Sequence, residues 1–310
     1  MKAIRLHGRG GPEHLVYEEA PQPQPGPGEV RVRVAATAII ATELTWDLTY
    51  QTPTGEPRPF PIPGHDLSGV VVEVGRGVGD FAVGDAVYGL LAFGRDGAEA
   101  EYAIALPAEL APRPRTLDDV QAATVPLAAL TAWQALFTHA DLAKGQTVLI
   151  HGAAGGVGSY AVQFARWAGA RVLATASARH ADFLRDLGAD ETIDYATTRF
   201  EDAIHDADVV FDTIGGETLE RSWRIVRPGG VLVSVVSPPP VNQEMRHDVR
   251  FIWFVVEPNR EHLSQIGSLL DAGQVNPIVA QVFPLAQARH AFEEGLTGHA
   301  RGKIVLRVPD

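Results

Sequence analysis

At 310 residues the chain has room for about two domains, and its 45% hydrophobic and 21% charged residues suit a globular protein with substantial cores. A formal net charge of −12 argues against a nucleic-acid partner, no apolar run reaches the roughly 18 residues of a membrane span, and the absence of cysteine removes disulfides, thiolate zinc ligands and cysteine nucleophiles. The opening Met1-Lys-Ala-Ile-Arg-Leu-His-Gly8 has no long apolar stretch of the secretory type, which gives a cytoplasmic expectation.

Up to about Leu117 the pattern is one of short strands punctuated by turns, as at Val30 to Val34, Gly69 to Val74 and Ala86 to Leu90. The run Pro21-Gln-Pro-Gln-Pro-Gly-Pro-Gly28 reads as an extended surface crossing. Beyond Leu117, strands and helices alternate. Strands are expected at Thr147 to Ile150, Arg171 to Thr175, Glu191 to Ile193, Val209 to Asp212, Gly230 to Val235 and Val249 to Val256. Helices are expected at Gly158 to Ala168, Ala181 to Leu187 and Glu217 to Val226. This order predicts an α/β fold with a doubly wound parallel sheet of about six strands. A helix at Glu261 to Ala272, a segment at Ile278 to Phe283, a helix at Leu285 to Leu296 and a strand at Lys303 to Val308 close the chain.

The most specific stretch is Val148-Leu-Ile-His-Gly-Ala-Ala-Gly-Gly-Val-Gly-Ser-Tyr160, where a strand runs into glycines and then into a helix. That context is what a dinucleotide-binding turn requires. The fingerprint is Ala153-x-Gly155-x-x-Gly158, with alanine in place of the usual first glycine. Gly155 lets the backbone approach a pyrophosphate, Gly158 lets the helix pack closely, and the N–H groups of Ala154, Gly155, Gly156, Val157 and Gly158 surround the phosphates. No Lys-Ser/Thr pair follows, so a P-loop is excluded. Selectivity for NAD needs an acid about 20 residues further on. Here the strand ends Ala174-Thr-Ala-Ser-Ala-Arg-His180, where Ser177, Arg179 and His180 instead suit a 2′-phosphate, and NADPH is the expected cofactor. Ile214 and Ser237 also follow strands, at the sheet edge where open α/β folds bind ligands.

Met1-Lys-Ala, Gly26-Pro-Gly-Glu-Val30, Gly64-His-Asp-Leu-Ser-Gly69, Gly79-Asp-x-x-x-Gly-Asp85, Ala129-Leu-Thr-Ala132, the Gly152 to Gly158 turn, Leu187-Gly-Ala-Asp190 and Gly302-Lys-Ile-Val-Leu306 occur in that order. Together they resemble the medium-chain dehydrogenase/reductase superfamily, most closely its zinc-free quinone oxidoreductase branch, the relatives of zeta-crystallin. The resemblance implies a GroES-like, mainly β catalytic domain over residues 1–118, a Rossmann domain over 119–258, a return to the catalytic domain over 259–310, and an active site in the cleft. It also implies cofactor contacts from Thr131, Tyr195, Val255 and Lys303.

Read against zinc-dependent members, Ile40 stands at the first cysteine position, His65-Asp66 at the His-Glu pair and Leu127 at the last ligand. Alkyl side chains cannot coordinate zinc, so no metal is expected and His65 becomes a wall of the substrate pocket. Without a Lewis acid, the chemistry left is hydride delivery to a quinone or an α,β-unsaturated carbonyl. The resemblance would place Asn-Pro-x-Asp where this chain has Ile40-Ala-Thr-Glu43. In the long loop that follows, Trp46 and Tyr50 are candidates to wall a flat substrate, and Tyr50 is the candidate proton donor, with solvent as the alternative. Two other readings stand beside the reductase: a biosynthetic enoyl reductase acting on a specialised metabolite or acyl thioester, and an NADPH-binding protein without turnover. The apolar Val249 to Val256 strand, expected at a sheet edge, predicts a homodimer.

Overall fold

The computed structural model describes residues 1–238, 248–298 and 300–309, and the chain falls into two compact units, Met1–Leu127 with Glu257–Asp310, and Ala128–Val256. The first unit begins with strands β1 (Lys2–Leu6), β2 (Leu15–Glu19), β3 (Val30–Ala38), β4 (Asp66–Val74), β5 (Ala86–Leu90), β6 (Tyr102–Ala105) and β7 (Leu110–Pro112). The second contributes β8 (Thr147–His151), β9 (Arg171–Ala176), β10 (Glu191–Asp194), β11 (Ala207–Asp212), β12 (Val226–Ser234) and β13 (Arg250–Trp253). The chain then returns to the first unit with β14 (Val279–Pro284) and β15 (Lys303–Arg307).

In the first unit, β1 and β2 pair antiparallel, and a seven-stranded sheet runs β14-β15-β3-β4-β5-β7, with β6 also on β3. The alternating β3 sequence sends Val30, Val32 and Val34 into the core, where they meet Leu67, Val71, Val87 and Leu306. The helix Asp119–Ala123, just past the expected domain boundary, also belongs here. Its N-cap Asp118 accepts from the N–H of Gln121 at 2.8 Å, and buried Ala122 and Ala123 pack it against β3 and β4.

The second unit is a six-stranded sheet in the order β10-β9-β8-β11-β12-β13, parallel at every pairing. Its central strands are buried on both faces, as strands covered by helices must be, and this explains the continuous apolar runs of β8 and β11. The doubly wound expectation therefore stands, and two of its elements need correction. The helix expected over Glu217 to Val226 spans Gly216–Ser222, because Val226 already pairs with Ala207 as the first residue of β12. The strand expected over Val249 to Val256 is only Arg250–Trp253, although it does lie at the sheet edge.

Candidate functional site

The turn after β8 differs from the sequence reading in one respect. Ala153 does not do the work of the missing first glycine: Gly152, one residue earlier, takes the positive φ of 68°. A Cβ on Gly152 would stand 2.4 Å from Thr213 Oγ1, so both conformation and space require glycine. Gly158 is equally constrained, with Gly152 O at 2.3 Å from a would-be Cβ, which is the close helix–turn packing expected of it. Gly155 is the N-cap of the helix Gly156–Trp167, has no side chain to cap it, and would meet only Gly152 O, at 3.3 Å. The N–H groups of Gly156, Val157 and Gly158 lack intrahelical acceptors by helix geometry, and they carry the positive end of the helix dipole. A diphosphate fits this cradle.

The next loops rise from the same edge of the sheet, because every strand of a parallel sheet ends on one side. Ser177 stands at the N-cap position of a short 3₁₀ turn after β9 without a side-chain capping bond, and exposed Arg179 donates from Nε to His180 Nε2 at 3.1 Å. Tyr195, 65% exposed, follows β10, and its N–H donates to Ala176 O at 3.4 Å, which sets it beside the Ser177–His180 turn. The acid closest in this register, Asp194, accepts from the Ala196 N–H at 3.1 Å and the Thr197 hydroxyl at 3.2 Å. Its carboxylate is spent on its own turn.

After β11, buried Asp212 organises the edge. Its carboxylate accepts from the N–H groups of Ile214 (3.1 Å) and Gly215 (3.0 Å) and from Ser234 Oγ (2.8 Å). This presents Ile214 to solvent and brings Ser237 close to Gly215, 3.7 Å from a would-be Cβ. Val255 is exposed just beyond β13, and Thr131 is buried in the helix Pro126–Trp133.

The remaining candidates lie in the first unit. His65 packs edge to face on Phe93 at 4.5 Å between ring centroids, and Trp46 meets the same ring at 5.6 Å. Phe93 was missed in the sequence. It stands in the irregular segment after β5, where nothing but its aromatic character marks it. Half-buried Ile40 precedes this loop. Tyr50 donates its hydroxyl proton to Leu44 O at 2.7 Å, with Arg9 over its ring, so the structure gives it the work of closing the loop. Lys303 is buried. Its ammonium sits 3.1 Å from Asp66 Oδ2 and donates to Ile39 O at 2.8 Å, while Asp66 Oδ1 accepts from the Leu127 N–H at 2.6 Å. One ion pair thus ties together the neighbours of Ile40, His65 and Leu127.

Two buried acids here were also missed, since each reads as a surface residue. Glu43 accepts from the Gly64 N–H at 2.8 Å, and burial pushes its pKa up to about 7. Glu99, whose Cγ lies 2.7 Å from a would-be Cβ on Gly64, is raised well above the ordinary range by burial and by the Glu43 charge. His65, its Nε2 3.9 Å from Glu43, is held neutral by burial, with a pKa of about 3.

Among the described residues no group of three or more His, Asp or Glu could hold a metal ion, and no helix is long and apolar enough to cross a membrane. Residues 26–115 match the alcohol dehydrogenase GroES-like domain, and residues 187–306 match the zinc-binding dehydrogenase family. A probable zinc-binding oxidoreductase, mitochondrial, of Arthroderma benhamiae is 38% identical over 88% of this chain and 86% of its own. The NADPH-dependent alkenal/one oxidoreductase, chloroplastic, of Arabidopsis thaliana is 35% identical over 82% of this chain and 65% of its own. The quinone oxidoreductase structure from Coxiella burnetii superposes with a TM-score of 0.90 at 32% identity, covering 100% of this chain and 99% of that one. The chain therefore belongs to the medium-chain dehydrogenase/reductase superfamily, in its quinone oxidoreductase-like branch of NAD(P)H-dependent oxidoreductases. The zinc in the family description does not fit this chain: Ile40 and Leu127 are alkyl, and beside His65 the Asp66 carboxylate is already paired with Lys303. Relatives named as mitochondrial and chloroplastic lend the cytoplasmic reading no support.

Proposed function

We propose that this chain is an NADPH-dependent, zinc-independent reductase of quinones or α,β-unsaturated carbonyls. The observation that carries the reading is the end of β9. Ser177, Arg179, His180 and the neighbouring Tyr195 offer donors and positive charge where an NAD-selective site holds a carboxylate, and the nearby Asp194 is engaged in its own turn. The Gly155 to Gly158 backbone would take the diphosphate, and Ile214, Ser237, Val255, Thr131 and Lys303 remain candidates for the rest of the cofactor. When bound, the nicotinamide supplies a hydride to a conjugated acceptor. On the substrate side, the edge-to-face cluster of His65, Phe93 and Trp46 offers an aromatic surface that suits such an acceptor, with Ile40 a further candidate. Because Tyr50 already donates to Leu44 O, we assign the proton that follows the hydride to solvent.

The replacement of an asparagine amide by Ile40 favours a second reading, a biosynthetic enoyl reductase with an acyl thioester or specialised substrate. Depletion of NADPH absorbance with a panel of quinones, enones and acyl thioesters decides among the readings. Activity confined to thioesters selects the second, and tight NADPH binding with no oxidation by any acceptor selects a protein without turnover. Elemental analysis should find no stoichiometric zinc, and chelator should leave the rate unchanged. Zinc bound through His65 would overturn the metal-free reading.

A further inference from the structure

His151 ends β8 directly before the positive-φ Gly152, and it is fully buried. Its ring is held at both nitrogens, Nδ1 at 2.9 Å from Thr175 Oγ1 and Nε2 at 3.0 Å from Ser222 Oγ. The proton positions follow from the neighbours. Ser222 spends its single hydroxyl proton on Thr218 O, 2.7 Å away, so toward His151 it accepts and Nε2 carries the hydrogen. Nδ1 of the neutral ring then accepts from the Thr175 hydroxyl. Burial, helped by the Arg221 charge, holds the His151 pKa down to about 3, which keeps the ring neutral at neutral pH, and the partners then set the tautomer.

The backbone uses the same partners. Thr175 O accepts from the Ala153 N–H at 3.2 Å, so Thr175 grips the chain on both sides of Gly152. Thr213 Oγ1 donates to His151 O at 2.8 Å, and that hydroxyl fills the space a Cβ on Gly152 would need. The imidazole therefore joins the glycine turn to the end of β9 and to the helix Gly216–Ser222, while the His151 backbone carbonyl ties it to the turn after β11.

We infer that His151 is a positioning residue for the cofactor, its ring fixing the Gly152–Gly158 turn against the end of β9 and the helix Gly216–Ser222 before any ligand arrives. The inference rests on the NADPH reading and adds the residue that sets the cradle's geometry. It touches no reacting group. A turn held in its binding shape loses less freedom on binding, so the effect falls on affinity rather than on the chemical step.

The test is a fluorescence titration with NADPH, without acceptor, on the parent and on His151→Gln, Ser222→Ala and Thr175→Val, alongside amide exchange of the cofactor-free proteins. Ser222→Ala removes the acceptor of Nε2–H and leaves the turn sequence intact. The NADPH Kd should rise about tenfold in His151→Gln and roughly threefold in each of the other two, in keeping with the loss of one or two buried hydrogen bonds. Amides of Gly152 to Gly158 should exchange faster while those of β12 keep their protection, and kcat at saturating NADPH should stay within about twofold of the parent. A lower melting temperature with Kd and turn exchange unchanged would mean the network is structural only, and would overturn the inference. If His151→Gln does not fold, the Ser222 and Thr175 variants carry the test. If the parent itself binds no NADPH, the cofactor reading fails, and turn exchange in the cofactor-free proteins still judges His151.

Discussion

Glu43 reaches back from its loop to take the Gly64 N–H at 2.8 Å with one carboxyl oxygen, and its other oxygen is buried without a hydrogen-bond partner. Burial and Asp66 disfavour its charge, Lys303 and Arg58 favour it, its own charge raises Glu99, and neutral His65 lies nearby. Unfolded, this carboxyl titrates near 4.5, and folded near 7, so between those values the folded protein binds more protons than the unfolded chain. Stability must then fall as pH rises through that window, and the loss is complete above it. Glu43→Gln keeps an acceptor for Gly64 and removes the titration. We expect it to flatten the pH dependence of the urea midpoint and to be more stable than the parent at pH ~8 by roughly 1–3 kcal/mol, at about 1.4 kcal/mol per unit of pKa. Parallel pH profiles for the two proteins would show that Glu43 does not titrate in this range.

Arg179 tests the cofactor assignment. Its guanidinium is exposed at the end of β9, so Arg179→Ala should leave the fold intact. NADPH binding should weaken by about 1–3 kcal/mol, the range for a hydrogen bond to a charged group, while NADH binding barely changes. Equal affinity of the parent for the two cofactors would remove the basis of the NADPH reading.

The Rossmann half was legible because its signals are local. Each buried parallel strand is a short apolar run, and the glycine turn sits where a strand meets a helix. Loop residues that follow those strands reach one edge by topology alone, which is why the neighbourhood of Ser177, Arg179 and Tyr195 could be read without coordinates. What sequence hid was non-local. Glu43 and Glu99 look like surface acids until Gly64 is seen between them. Phe93 joins His65 and Trp46 only through the path of the chain after β5. The glycine requirement falls at Gly152 and not at position 153, and the space that enforces it is taken by Thr213 from the turn after β11, far away in sequence.

Tyr50 offers a clean separation of structure from catalysis. Its hydroxyl donates to Leu44 O at 2.7 Å, so Tyr50→Phe loses one half-buried hydrogen bond. Stability should drop by about 1 kcal/mol, with kcat for an enone within about twofold of the parent. A fall in kcat of about a hundredfold or more, at unchanged affinity for NADPH, would instead make Tyr50 the proton donor.

Assembly is the last prediction. Among the described residues β13 has one strand neighbour, β12, so the backbone groups on its far side have no ladder partner, and Trp253 on that strand is 47% exposed. An open edge with a large apolar side chain invites pairing, and closed twofold symmetry satisfies it, because β13 can lie antiparallel to the same strand of a second copy. The expected outcome is a homodimer with a sheet continuous across the twofold axis, giving twice the 33.2 kDa chain mass by light scattering at micromolar concentration. Trp253→Lys places a charge of the kind that guards natural edge strands, and should shift the mass toward 33.2 kDa without unfolding the sheet. A parent protein that already scatters as a single 33.2 kDa chain would rule the dimer out.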